Sequence, residues 1–245
     1  MPVLAQQIVG GALYPQIWGY FQEGIQSVSD LLAKVLEHRY TYVPRGEVKD
    51  TLALGKKLGL AVARAHGVPL TVLSPLKSGA SHHAELAKLT IVTERSGRIR
   101  DGGVVLAWCP RFKTMEQLQH VENCTIVLVE WIPGEMEAWA KVAGAYNVVT
   151  DEVMTAQLDA NARRALEGIV HEGYKGWTDN ISDRVVRGYL DDLQAADAYD
   201  RDLVLAYARQ TKWERAIERL EKIIDKYEAS SVPSATTGTP RRRVL

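Results

Sequence analysis

A chain of 245 residues, 46% of them hydrophobic, is long enough to bury one large core or two modest ones. Its 30 basic side chains are matched by 30 acidic ones, so no net field draws it onto nucleic acid or an anionic membrane surface. Two cysteines exclude a disulfide framework; Cys109 and Cys124 both lie in apolar text, which predicts reduced, buried thiols and a cytoplasmic setting.

No charged side chain precedes Glu23, but Gln6, Gln7, Pro15 and Gln16 interrupt the apolar text and a basic leader is missing. Neither a signal peptide nor a membrane span is expected. Val3–Leu13 is expected to dock on the core or on a partner. Ile17, Phe21, Ile25, Val28, Leu32, Val35 and Leu36 recur at helical spacing, which predicts a helix over 16–38. Tyr40–Val43 reads as a strand stopped by Pro44, residues 46–66 as a helix ending at Gly67, and Leu70–Leu73 as a second strand. Gly55 and Gly59, four apart, predict a small-residue face on which that helix approaches a sheet closely.

The alternation continues with a helix starting near Ser81 and a strand at Leu89–Thr93. Ser96-Gly97 and Gly102-Gly103 mark turns. Val104–Trp108 and Thr125–Trp131 are continuous apolar runs, as in strands covered on both faces. Between them, Thr114-Met-Glu-Gln117 has the spacing of a capping box opening a helix. A helix over Gly134–Gly144 leads to a last strand at Asn147–Thr150. Strand and helix alternating in this way predict an open, mostly parallel, Rossmann-like α/β sheet of five or six strands.

From Thr155 the text is helical and acidic, with a turn at Gly173–Gly176. Trp213, Ala216, Ile217, Leu220, Ile223, Ile224 and Tyr227 form one apolar stripe, with Glu218 four residues before Lys222. The expected organisation is an N-terminal apolar segment and helix packed on the core over 1–38, the α/β domain over 39–152, the helical region over 153–229 and a disordered tail over 230–245.

Open parallel sheets bind ligands beyond the carboxyl ends of their strands. Val43-Pro44, Ser74-Pro75, Cys109-Pro110 and Ile132-Pro133 mark such ends, because proline cannot donate to the sheet ladder. Two of these loops carry candidate chemistry. Lys77, Ser78, Gly79 and Ser81 bring a cation, hydroxyls and a flexible glycine to an expected helix start, the setting of an anion site. The spacing is not that of a phosphate-binding P-loop, and no GxGxxG occurs. His82, His83 and Glu85 lack the spacing of a metal site, so neither metal nor cofactor is expected. The second loop offers Glu130, Glu135 and Glu137 as candidate catalytic carboxylates, with Trp131 and Trp139 as indoles able to stack on a base or sugar.

In outline, Val127–Trp131, Gly134, Glu135 or Glu137 and Ala143-Gly144-Ala145 resemble nucleoside deoxyribosyltransferase-like proteins, which implies N-glycosidic chemistry. Three functions follow as expectations. The first is binding or sensing of a nucleotide-like or phosphorylated small molecule; the second is an enzyme acting on the N-glycosidic bond of a nucleoside or nucleotide; the third is a non-catalytic scaffold that binds a protein partner or forms a homo-oligomer.

Overall fold

The computed structural model describes residues 28–46, 50–119 and 121–231. Seven strands, β1 (Tyr40–Val43), β2 (Leu70–Leu73), β3 (Thr90–Val92), β4 (Val104–Trp108), β5 (Thr125–Val129), β6 (Tyr146–Asn147) and β7 (Glu152–Val153), form one open sheet. Their order is β3-β2-β4-β5-β1-β6-β7. Every pairing is parallel except the terminal β6–β7 hairpin. The chain is thus an α/β protein of the Rossmann-like kind. The short β7 takes the count one above the six expected.

Successive side chains of a strand point to opposite faces, and continuous apolar runs therefore need cover on both. On one face, Val43, Val72, Leu106, Val127 and Val129 meet Leu31 and Val35 of α1 (Val28–Glu37) and Leu54, Leu58 and Val62 of α2 (Thr51–His66). The other face, carrying Tyr42, Val105, Ala107, Ile126 and Leu128, is covered by Met115, Met136, Trp139 and Ala140. Side chains buried this completely each contribute roughly 1.5–3 kcal/mol of transfer free energy. The glycine pair on α2 allows the close approach expected of it. A Cβ on Gly55 would lie 2.2 Å from Val129 Cγ2, and one on Gly59 would lie 3.1 Å from Leu106 Cδ1.

The connections are shorter than the sequence pattern suggests. After β2, helix α3 spans Lys77–Ser81, so Ser81 ends a five-residue helix and does not open one. After β4, α4 spans Phe112–Met115. Thr114 is inside its first turn, where Oγ1 accepts from the Arg111 N–H at 3.2 Å and donates to Glu94 at 2.8 Å; it is not the N-cap. After β5, α5 spans only Glu137–Ala143, with Gly144 in the left-handed conformation ending it. The expected strand at Asn147–Thr150 is also displaced. Asn147 Oδ1 accepts the Val149 N–H at 2.9 Å and turns the chain back into β7.

Four helices follow: α6 (Ala160–Glu172), α7 (Asn180–Ala195), α8 (Arg201–Arg209) and α9 (Glu214–Ser231). Leu166, Ile169, Leu190, Leu193, Val204, Ile217, Leu220 and Ile224 form their own core. Asp159, Asp179 and Asp200 cap the first three by accepting backbone N–H groups. Between α6 and α7, Gly176 adopts φ +75° and the buried Trp177 donates its indole N–H to the Ile169 carbonyl at 3.1 Å. Trp213, counted in the apolar stripe, precedes α9 and is 65% exposed. The helices join the sheet region through Gln119, which donates to the carbonyls of Arg209 and Lys212 at 2.7 and 2.9 Å. Arg209 also lays its guanidinium over Phe112, 4.3 Å from the ring centre.

Among the described residues no helix is long and apolar enough to cross a membrane. The proposed docking of Val3–Leu13, the first part of the helix over 16–38 and the tail beyond residue 231 lie outside the described residues.

Candidate functional site at the carboxyl edge

Two adjacent strands send the chain in opposite directions. β1 leads to α2 on one face of the sheet, and β5 leads to α5 on the other. This divergence opens a crevice beyond their carboxyl ends, the place where open parallel sheets hold ligands. A cleft of about 470 Å³ lies there. Its walls come from the ends of β1, β5 and β6, from α5 and from β7 and the residues after it, and include Arg45, Glu130, Glu137, Lys141, Asn147 and Glu152.

The three candidate carboxylates have separate environments. Glu130, the first residue past β5, is 1% exposed. Its Oε2 accepts the Arg45 N–H and its Oε1 the Met136 N–H, each at 3.0 Å. One buried carboxylate thereby ties the β1 loop to the β5 loop and gains the charge-assisted bonds its burial requires. Glu137 is the first residue of α5; it lines the cleft and pairs with Lys141 at 2.7 Å. Glu135 is half-buried, and burial raises its pKa, with Arg111 opposing and Glu130 reinforcing the shift.

The indoles also part. Trp131, between the lining residues Glu130 and Pro133, is 52% exposed, and the Arg45 guanidinium lies 5.2 Å from its ring centre. Trp139 is buried and packs edge-on against Tyr40 at the opposite, amino end of β1. It belongs to the core and to a second cavity, of about 370 Å³, shared with Arg39, Gln119 and Arg209.

Lys77, Ser78, Gly79 and Ser81 are all exposed and lie after β2, separated from β5 by β4. None lines the cleft beyond β1 and β5. The Gly79 N–H is used by the Leu76 carbonyl, and the Ser81 hydroxyl donates to the Ser78 carbonyl. His83 packs edge-on against Trp108. Among the described residues no three His, Cys, Asp or Glu side chains are grouped to hold a metal ion. Cys124 is buried and Cys109 half-buried, both free; Cys109 has φ +50°, and burial pushes its thiol up to about 11.

Sequence reasoning passed over Arg45, Lys141, Asn147 and Glu152. Arg45 directly follows the Val43-Pro44 strand end, a signal that could have found it. The others needed the position of β6 beside β1. The β6–β7 turn is fixed by Asp151, which accepts from the Tyr146 hydroxyl at 2.6 Å and pairs with Lys34. Lys34 and Tyr146 together hold the Asp151 carboxyl below its usual range, while burial and Asp151 push the Tyr146 hydroxyl up.

Comparison with protein-family models, curated proteins and solved structures finds no match to the chain. The class of protein is therefore set by its own architecture, an open parallel α/β sheet with a helical region appended.

Proposed function

We propose that the protein binds, as a receptor or sensor, a nucleotide-like small molecule in the carboxyl-edge cleft between β5 and β1. The observation that carries this reading is the cleft's position at the divergence of the two connections, with Arg45 on its wall and its guanidinium over the exposed ring of Trp131, the neighbour of the lining residue Glu130. An exposed indole offers a flat face to a ring, and the guanidinium above it supplies a second planar surface and hydrogen-bond donors.

A thermal-shift panel of nucleosides, nucleotides, dinucleotides and sugar phosphates tests it. A ligand at one hundred times its Kd stabilises the fold by about 2.7 kcal/mol. The expected result is a shift from at least one ring-bearing member, lost in Arg45→Ala and Trp131→Ala. Silence across the panel rejects the reading and favours the interaction scaffold.

A second reading, cleavage of an N-glycosidic bond, is favoured by one observation: Glu137 is a half-exposed carboxylate lining the same cleft. Glu130 already gives both oxygens to backbone N–H groups. Release of free base from a nucleoside, abolished by Glu137→Gln, supports the enzyme; release undiminished in that variant removes Glu137 from the chemistry.

A further inference from the structure

Among the described residues, several backbone amides around the cleft are bonded to the protein's own side-chain oxygens. A phosphate site at a sheet edge works by leaving such amides free, at a helix start or in a glycine turn, so that they point at the anion. Here the Arg45 and Met136 amides donate to Glu130. Those of Val149 and Thr150 approach Asn147 Oδ1 at 2.9 and 3.5 Å. At the start of α2, the long helix after β1, the Asp50 carboxylate accepts the Ala53 N–H at 2.9 Å and brings a negative charge of its own. α5, the helix after β5, begins with Glu137 itself.

The charges on the walls act in the same sense. Glu130, Glu137 and Glu152 line the cleft against Arg45 and Lys141, and Lys141 is paired with Glu137. A phosphate entering would meet carboxylates where a phosphate site presents N–H groups, and like charges held at close range are costly. Glu137 and Glu152 are suited to accept from hydroxyl groups, and Asn147, Thr150, Thr155 and Gln157 both to accept from and to donate to them.

We infer that the ligand is unphosphorylated: a ring-bearing, hydroxyl-rich molecule of the nucleoside type, with its ring at the Arg45–Trp131 pair and its hydroxyls toward Glu137, Asn147 and Glu152. This rests on the reading of the cleft as the ligand site and narrows the class that it takes.

Calorimetric titration of the full chain with nucleosides, their 5′-monophosphates and inorganic phosphate separates the possibilities. The expected result is that a nucleoside binds about tenfold or more tightly than its monophosphate, the scale of one unfavourable charge contact, and that inorganic phosphate does not compete. Glu137→Gln and Glu152→Gln keep shape while removing charge, and they should narrow that gap by improving the monophosphate. Equal or tighter monophosphate binding, or competition by inorganic phosphate, overturns the inference while leaving the cleft as the ligand site. A gap unchanged in both variants overturns its electrostatic basis. Failure of every ring-bearing ligand to bind overturns the cleft reading and the inference together.

Discussion

The sheet region and the helical region are held together by different means. In the sheet region, α1 and the long α2 cover one face and short helices and loops the other, and α2 lies so near the sheet that Gly55 has no room for a methyl group. In the helical region, α6 to α8 are capped by their own aspartates and bury amphipathic faces against α9. The first arrangement leaves irregular backbone at the carboxyl edge, where the cleft lies. The second satisfies its helix ends locally and owes its stability to one core. A parallel sheet creates a functional rim as a by-product of its connections; a self-capped bundle creates none of that kind.

The largest effect expected from this contrast comes from Leu220→Asp. Leu220 is fully buried in the helical core, and an unpaired charge there should cost on the order of 3 kcal/mol or more. In chemical denaturation the helical region should be lost at lower denaturant, and a transition unchanged in midpoint would show that its core is not needed for the fold.

Two glycine substitutions sharpen the comparison. Gly55→Ala drives a methyl group into Val129 and should destabilise by about 1–3 kcal/mol. Gly188→Ala, on the exposed side of α7 with nothing within 4 Å, should stabilise by about 0.4–1 kcal/mol. Shifts of the same sign at both positions would break the distinction between close packing and open helix surface.

A smaller, pH-dependent effect is expected where the regions meet. Burial raises the pKa of both Glu116 and Glu214, and each carboxylate has a buried oxygen without a hydrogen-bond partner. The Glu214 N–H, Lys113 and Arg209 offset the shift of Glu116 only in part, the Glu214 charge adding to it, while Arg209 opposes and Glu221 and Glu218 reinforce that of Glu214. A carboxyl raised in the folded state holds its proton where the unfolded chain releases it. Stability is then fullest below the ordinary value of 4.5 and falls as pH rises through the folded value. Glu116→Gln should flatten this dependence and gain less than about 1 kcal/mol at alkaline pH, given partial solvent screening. A steeper profile in that variant would show the charge to be favourable. The smallest effect belongs to Lys77→Ala, which should change stability by less than about 0.5 kcal/mol and leave ligand affinity unaltered. A tenfold loss of affinity would move the site to the β2–β4 crevice.

The strands were legible because their runs are apolar or β-branched, and Leu70–Leu73 and Val104–Trp108 match the structure residue for residue. The stripe through Leu220 was legible for the same reason, at helical period. The ends of elements were less so, because they turn on single polar bonds such as those of Thr114 and Asn147. The candidate site was legible only as a rim. Glu130, Glu135 and Glu137 lie within eight residues, yet the first is buried with both oxygens bonded, the second is half-buried outside the cleft lining and the third lines the cleft with its carboxylate half-exposed. That division follows from β1 lying between β5 and β6, a neighbourhood that no local pattern encodes.

The interior place of β1 also orders the chain's assembly. Tyr40 pairs with Ile126, so β1 has no neighbour on that side until β5 has been synthesised; its other neighbour, β6, comes later still. Closing so long a stretch of chain precedes any gain from the pairing and slows folding. The helices from α6 to α9 need only residues close to them in sequence. During synthesis β1 therefore waits as an unpaired apolar strand with open edges, the species most open to capture by chaperones or by another copy. Fusions truncated before Thr125 should be held insoluble or chaperone-bound, and those extended past Asn147 should be released as folded protein.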